Sequence, residues 1–257
     1  MTIAGRPLGA ILRAPFQARH LVALVNMLRV YPRPWRELSR YLLGRGSYPY
    51  ACRVRTPLGT RVLALDSHHD LLTVNEVFCR LDYRCSPGVR TVVDIGSNIG
   101  VSALYFLTRD PGATCWLFEP DPHNLARLRA NLAGFEDRYV LDERAVADTG
   151  GRVRFGVEPT GRYGGIDVET GTSIEVDCVA IDDVLTRVLA ETDGIDLLKI
   201  DTEGAEARTV RAIRPDLVRR VRRIYLECTA FEEFDPTLFR QSRRGQCIRL
   251  DVTSARG

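Results

Sequence analysis

The sequence predicts an α/β protein: an open, mostly parallel central sheet with helices on both faces, preceded by a helical N-terminal extension and a β-hairpin. Three observations carry that prediction. Thr91 to Ile95 is a short β-branched run, followed by a glycine turn (Gly96, Ser97, Asn98, Ile99, Gly100) and a helix opening near Val101. From residue 91 onward strand-like and helix-like segments alternate, the order that builds a parallel sheet. Polar residues stand at or near the strand ends: Asp94, Glu119, Asp201 and Glu227. Ligands of open α/β sheets bind outside those carboxyl ends.

Bulk properties exclude several classes. The chain has 257 residues, 45% of them hydrophobic and 27% charged, which suits one large α/β domain with an extension. A net charge of +3 is too small to imply nucleic acid by itself. The seven cysteines are scattered, with no Cys-x-x-Cys, so neither a disulfide framework nor a zinc site is expected. That usage fits a reducing, cytoplasmic compartment. No secretory signal is visible, and the apolar stretch from Leu21 to Val30 is too short to span a bilayer. The basic residues are 35 Arg and a single Lys, Lys199, so either chance or a need for an ammonium keeps that one lysine.

The elements read in order as follows. Residues 1–49 form a basic helical extension. Leu21, Leu24, Val25 and Leu28 recur at helical spacing, Pro32 and Pro34 break the run, and a second helix spans Pro34 to Leu43 before Gly44 and Gly46. Residues 1–62 hold eleven Arg against one acid, Glu37. Two readings stay open: an amphipathic cover on the main domain, or an Arg-rich face toward an acidic partner or the inner face of an anionic membrane. Residues 50–90 are a lead-in. Tyr50–Arg55 and Thr60–Leu65 alternate as a hairpin about a Thr-Pro-Leu-Gly turn. His68 and His69 read as a loop pair, and a helix from Leu71 to Arg80 can be capped by Asp66, Ser67 or Asp70. Residues 91–257 are the main domain. Its further strands are Thr114–Phe118, Tyr139–Leu141 running toward Ala145 and Val146, Val153–Val157, Ser173–Val179, Ile195–Ile200 and Arg223–Leu226. Helices are expected over 101–107, 123–132, 181–189 and 205–213, with a Gly-rich loop at 160–165.

The turn and its neighbours point to a nucleotide-type ligand. Glu119, nineteen residues after Gly100, is placed to accept both hydroxyl protons of a ribose. A dinucleotide needs Gly-x-Gly-x-x-Gly so that pyrophosphate can sit on the helix N-terminus. Here Asn98 and Val101 occupy the second and third glycine positions. With Asp94 ahead of the turn, the pattern favours a cofactor with an ammonium, a ribose and no phosphate. S-adenosylmethionine fits that description better than NAD.

Four segments together resemble the FkbM family of methyltransferases: Asp94 to Gly100, Phe118-Glu119-Pro120, Ala145 to Asp148, and Leu198 to Glu206. Glu76-Val77-Phe78 and Asp82-Tyr83 fit as well. The resemblance spans about residues 50–230. It implies a class I (Rossmann-like) fold and transfer of methyl from S-adenosylmethionine, usually to a hydroxyl of a glycan, glycolipid or natural product. By that analogy Asp94, Gly96, Ser97, Asn98 and Gly100 cradle the methionine half, Glu119 the ribose, and Arg144 and Ala145 the adenine edge. The chain departs from the pattern at its end: only Cys247–Val252 reads as a strand after Glu227. Either the closing hairpin is abbreviated, or the acceptor is enclosed from elsewhere, such as the N-terminal helices.

Methyl transfer to an alcohol requires alignment and a proton acceptor. Asp201 is expected nearest the transfer site. Glu203 is a base or an orienting group, or simply a helix cap. Lys199 either fixes a carboxylate, binds the acceptor, or forms a buried pair with Asp201. Asp201 and Glu227 are candidate oxygen ligands for a divalent cation, though no third ligand is evident and no metal is predicted. His123 reads as a structural residue at a helix start. A nucleic-acid substrate is disfavoured, because no Asp/Asn-Pro-Pro-Tyr/Phe run ends the strand at 195–201. The acceptor itself and the oligomeric state are not encoded in any motif.

Overall fold

Seven strands of residues 85–257 form the main sheet, and their order decides where a ligand can bind. The coordinates are a computed structural model that describes residues 2–3, 6–7, 18–44, 46–158, 164–228, 230 and 232–253. The chain divides into two compact units, residues 1–84 and 85–257.

In the first unit, α1 (Ala18–Val30) and α2 (Pro34–Leu43) are followed by the hairpin β1 (Tyr50–Thr56) and β2 (Gly59–Leu65). Pro34 opens α2, where its missing N–H costs nothing, and Gly44 closes it in the left-handed conformation. α3 (His68–Val74) continues into a π-helical turn, Asn75–Arg80. Ser67 caps α3, and Asp70 reaches back to the Ser67 amide, a complete capping box. His68 and His69 therefore lie in the first helical turn rather than in a loop. The capping box, one turn ahead of the apolar run, sets the earlier start.

In the second unit the strands are β3 (Thr91–Ile95), β4 (Thr114–Phe118), β5 (Tyr139–Asp142), β6 (Ala145–Ala147), β7 (Gly151–Val157), β8 (Gly165–Ile166), β9 (Thr172–Ala180), β10 (Leu197–Ile200), β11 (Arg223–Glu227), β12 (Phe239–Arg244) and β13 (Cys247–Val252). The helices are α4 (Val101–Leu107), α5 (Pro122–Asn131), α6 (Ile181–Glu191), α7 (Glu206–Ala212) and α8 (Pro215–Val218). The main sheet runs β12-β13-β11-β10-β3-β4-β5; all strands point the same way except β13, which is antiparallel to both its neighbours, β11 and β12. The chain leaves β3 toward β4 and β5, then crosses back to β10 and β11. The switch point lies between β3 and β10.

Alternation assigns the two faces of the sheet. Val93, Ile95, Leu198, Ile200, Ile224 and Leu226 pack with Ile181, Val184, Leu185 and Val188 of α6 in one buried cluster. Asp94 and Lys199, neighbours in register, project from the other face, where α4 packs.

Three expectations need correction. The strand read from Tyr139 toward Val146 is two strands in two sheets: β5 ends at Asp142, and β6 pairs in parallel with β9 in a four-stranded sheet of order β8-β7-β9-β6. The break falls at Glu143 and Arg144, where the chain leaves one sheet for the other. The closing hairpin is not abbreviated, since β12 pairs with β13 along its whole length. Its first strand, Phe-Arg-Gln-Ser-Arg-Arg, buries only Phe239, so it shows no hydrophobic alternation. As the sheet edge it is protected by charge instead. The strand expected from Ile195 begins at Leu197, with Ile195 held only by an isolated bridge to Val221. Of the Gly-rich loop, residues 160–163 lie outside the described residues.

Candidate active site

The turn after β3 is closed on itself. The Gly96 and Ser97 amides both donate to the Phe118 carbonyl at 3.0 Å, and Gly100 N–H donates to Ser97 O at 2.9 Å. Asn98 N–H donates to Glu119 Oε2 at 2.8 Å, and Ile99 N–H donates to the Asn98 side-chain oxygen at 2.7 Å. Every N–H from residue 96 to residue 100 therefore has a protein partner. A pyrophosphate needs such groups free, so this turn is not built for a dinucleotide. Asn98 has φ +48, a left-handed conformation that asparagine tolerates because its side chain can bond the adjacent backbone.

The two glycines serve packing. At Gly96, φ +73, a β-carbon would collide with the Asp201 carbonyl, so this residue lets β3 and β10 end side by side. At Gly100, φ +83, a β-carbon would sit 3.3 Å from Leu128 and Leu132 of the α5 region. What the glycines secure is the approach of neighbouring elements.

Asp94 and Lys199 lie beneath the turn. Asp94 is 0% and Lys199 2% exposed. Asp94 Oδ2 accepts from Ser102 Oγ at 2.6 Å, and Oδ1 lies 2.9 Å from the Lys199 ammonium. That ammonium also donates to the Gly96 carbonyl at 2.8 Å and stands 3.5 Å from Asp201 Oδ2. Burial alone would lower the Lys199 pKa. The charges of Asp94, Asp201 and Glu227 outweigh it and hold the amine protonated. Lys199 is therefore the cation among three strand-end carboxylates. Among the described residues, no three or more His, Cys, Asp and Glu side chains converge as a metal site. Through Ser102 and Lys199, Asp94 anchors the turn from below.

Glu119, at the end of β4, is equally buried but differently compensated. Its Oε1 accepts from the Asp121 amide at 2.9 Å and its Oε2 from Asn98. The Asn124 side chain adds a third hydrogen bond, and among the described residues no ammonium or guanidinium is a partner. Burial pushes its pKa up to about 7, against the lowering effect of the two backbone amides and the Asn124 side chain. A carboxylate has about four acceptor positions, so beside these three partners a hydroxyl donor can still be added.

The remaining predicted residues divide into exposed and occupied groups. The Asp201 side chain is 28% exposed, and the Asp201 N–H donates to Ile95 O. Glu203 is exposed, with φ +54. The expected helix-capping role falls to Glu206, whose carboxylate accepts from the Thr202 amide at 2.9 Å and the Gly204 amide at 3.0 Å. Arg144 is engaged by Asp142, with Nε to Oδ1 at 2.8 Å and a second contact at 2.6 Å, while Ala145 is buried in β6. His123 follows Pro122 at the start of α5, its amide bound by the cap Asp121. Ser102, Asp142 and Glu206 were missed as site residues. Only Glu206 carried a signal, as an acid in a helix first turn.

A seven-stranded sheet of this order, with the antiparallel β12–β13 hairpin at one edge and polar strand ends at the switch point, is the class I methyltransferase architecture. The Methyltransferase FkbM domain model matches residues 94–244, and the chain belongs to that family. It is similar to the 31-O-demethyl-FK506 methyltransferase FkbM of Streptomyces tacrolimicus, 29% identical over 68% of this chain and 80% of that protein. It is also similar to the 2-O-methyltransferase NoeI of Sinorhizobium fredii (strain NBRC 101917 / NGR234), 32% identical over 57% of this chain and 66% of that protein. A solved Methyltransferase FkbM from Methylobacillus flagellatus KT is 18% identical, with a TM-score of 0.40, over 63% of this chain and 44% of its own.

Proposed function

We propose that this methyltransferase uses S-adenosylmethionine and methylates a hydroxyl of a glycan, glycolipid or natural product. The observation that carries the cofactor reading is Glu119. It is a buried carboxylate at the switch-point edge, bound to the turn through Asn98 N–H, with no cation among its described partners and with acceptor capacity left for a ribose hydroxyl. The internally satisfied turn supports the same reading, since the cofactor has no phosphate to claim its amides. The names of both relatives specify oxygen as the methylated atom, which supports O-methylation here.

When bound, S-adenosylmethionine supplies a methyl group already activated on a sulfonium. The chain must then align, dehydrate and take up one proton. Glu119 holds a ribose hydroxyl. Asp94 and Lys199 set the turn and the end of β10 from beneath, as positioning residues. Asp201, the partly exposed carboxylate at the end of β10, accepts the proton of the attacking hydroxyl, and exposed Glu203 orients the acceptor. Glu206 holds the 202–204 loop that carries both groups.

Isothermal titration tests the premise. The protein should bind S-adenosylmethionine, and Glu119→Ala should weaken that binding at least about tenfold, as expected for losing a charged acceptor of a ribose hydroxyl. Absence of binding, or full affinity in Glu119→Ala, rejects this reading.

A further inference from the structure

The helix α1 turns its apolar face outward. Leu21, Val22, Leu24, Val25 and Leu28 are each between 38% and 50% exposed. They span an arc of about 160° on a helix that advances 100° per residue. The opposite side, Ala23, Asn26, Met27 and Val30, is the side that packs. Met27 is buried, and Asn26 donates to the Cys79 carbonyl at 2.8 Å. A surface helix of a globular unit normally shows the reverse polarity.

The charge around this face has one sign. Arg29, Arg33 and Arg36 are exposed beside it, and Trp35, 71% exposed, opens the next helix. The one acid of residues 1–62, Glu37, is buried and accepts a hydrogen bond from Tyr50. The described surface of residues 21–62 thus presents arginine and large apolar side chains with no carboxylate among them.

We propose that this face docks on an anionic lipid bilayer, with α1 lying in the headgroup plane. The aliphatic side chains enter the acyl boundary, Trp35 sits at the interface, and the arginines meet anionic headgroups. Thirteen residues of helix are about 20 Å long, too short to cross a hydrocarbon core of about 30 Å. A second copy would answer the apolar patch but bring two arginine rims together; an anionic bilayer answers both features.

Vesicle co-sedimentation of the full chain tests the proposal. The protein should pellet with phosphatidylcholine vesicles containing about one-third phosphatidylglycerol, and stay in solution with phosphatidylcholine alone. Leu24→Glu combined with Leu28→Glu should lower partitioning at least about tenfold. Arg29→Gln combined with Arg33→Gln should lower it about fivefold per arginine. Both variants should keep the wild-type melting temperature and S-adenosylmethionine affinity. Wild type that remains in the supernatant with anionic vesicles overturns the proposal, as does equal sedimentation of the Leu24/Leu28 variant. A dimer in light scattering that the same pair of glutamates dissociates would assign the face to a second copy, and overturns it too.

Discussion

Two buried carboxylates stand one strand apart at the same sheet edge, and they are stabilised in opposite ways. Asp94 on β3 has an ammonium at 2.9 Å and a hydroxyl at 2.6 Å. Glu119, at the end of β4, has two backbone amides, the Asn124 side chain and, among the described residues, no cation as partners. Burial is alike, 0% against 4%. Compensation is not. Burial raises the pKa of both, but the Lys199 ammonium offsets part of that at Asp94, whereas Glu119 is held by neutral dipoles alone and gains more from a further donor. The comparison separates a residue fixed by its own protein from one that, in the proposed function, also meets the ligand, though the family resemblance offered both as cofactor contacts.

The largest expected effect comes from breaking the matched pair. Lys199→Met leaves the Asp94 charge buried and removes the donor to Gly96 O. It should cost about 3–5 kcal/mol, a fall of about 10 °C in melting temperature for a chain of this size. Adding Asp94→Asn should recover about 2 kcal/mol relative to the sum of the single variants. Additive costs in chemical denaturation would mean that the two side chains are not coupled and that the turn is held by other contacts. Lys199→Arg keeps the charge but places a planar fork where a slim ammonium meets a carbonyl and two carboxylates. It should be destabilised by about 2 kcal/mol.

The unmatched carboxylate should show itself through pH. In the folded protein the Glu119 pKa is raised to about 7, above its ordinary value. Between about pH 4.5 and 7 the folded state therefore holds more protons than the unfolded state. The stability this group contributes is fully present below that window, is lost as pH rises through it, and amounts to at most about 3 kcal/mol. Cofactor hydroxyls favour the charged form, so affinity should move the other way, rising about tenfold from pH 6 to pH 8 with proton release on binding. Glu119→Gln should flatten both curves. A wild-type affinity that is level across that range would contradict the assignment of Glu119 to a ligand hydroxyl.

A smaller effect is expected at Glu206, which supports the loop rather than the turn. Glu206→Ala removes acceptors for two amides and should cost about 2 kcal/mol. With Asp201 and Glu203 less well held, turnover should fall about tenfold while cofactor affinity stays unchanged. A loss of cofactor affinity equal to the loss in turnover would place this loop in the cofactor site instead.

Those contrasts also mark what could be read in advance. The β-branched run at Thr91–Ile95 and the alternation after it were legible because a parallel strand buried on both faces is apolar throughout. Glu119 was legible as a carboxylate at the next strand end, but its bonds to the Asn98 and Asp121 amides were not. Gly96 was legible as a glycine but not for its reason, since the Asp201 carbonyl that excludes a β-carbon lies more than a hundred residues away in sequence. Ser102 and the strand Phe239–Arg244 were silent for a related cause. One is a serine within an apolar helix, the other an edge strand with a single buried side chain, and neither perturbs the local pattern. Lys199 stood out as the only lysine. Whether it met the acceptor or its own protein was decided by register, which sets it beside Asp94.

The smallest effect separates the third strand end from the other two. Arg144 was expected at the adenine edge, and Asp142 now occupies it through two side-chain contacts, with Arg187 3.2 Å from the same carboxylate. The Arg144 side chain is 43% exposed, so solvent screens the pair and Arg144→Ala should cost well under about 1 kcal/mol. Any change in cofactor affinity is then informative because stability barely moves. If Arg144 touches the base, affinity falls while the melting temperature holds. If it only orients Asp142, affinity is preserved, because Arg187 still restrains that carboxylate, and Asp142→Ala rather than Arg144→Ala weakens binding. Titrating both variants with S-adenosylmethionine assigns the contact to one side chain or the other.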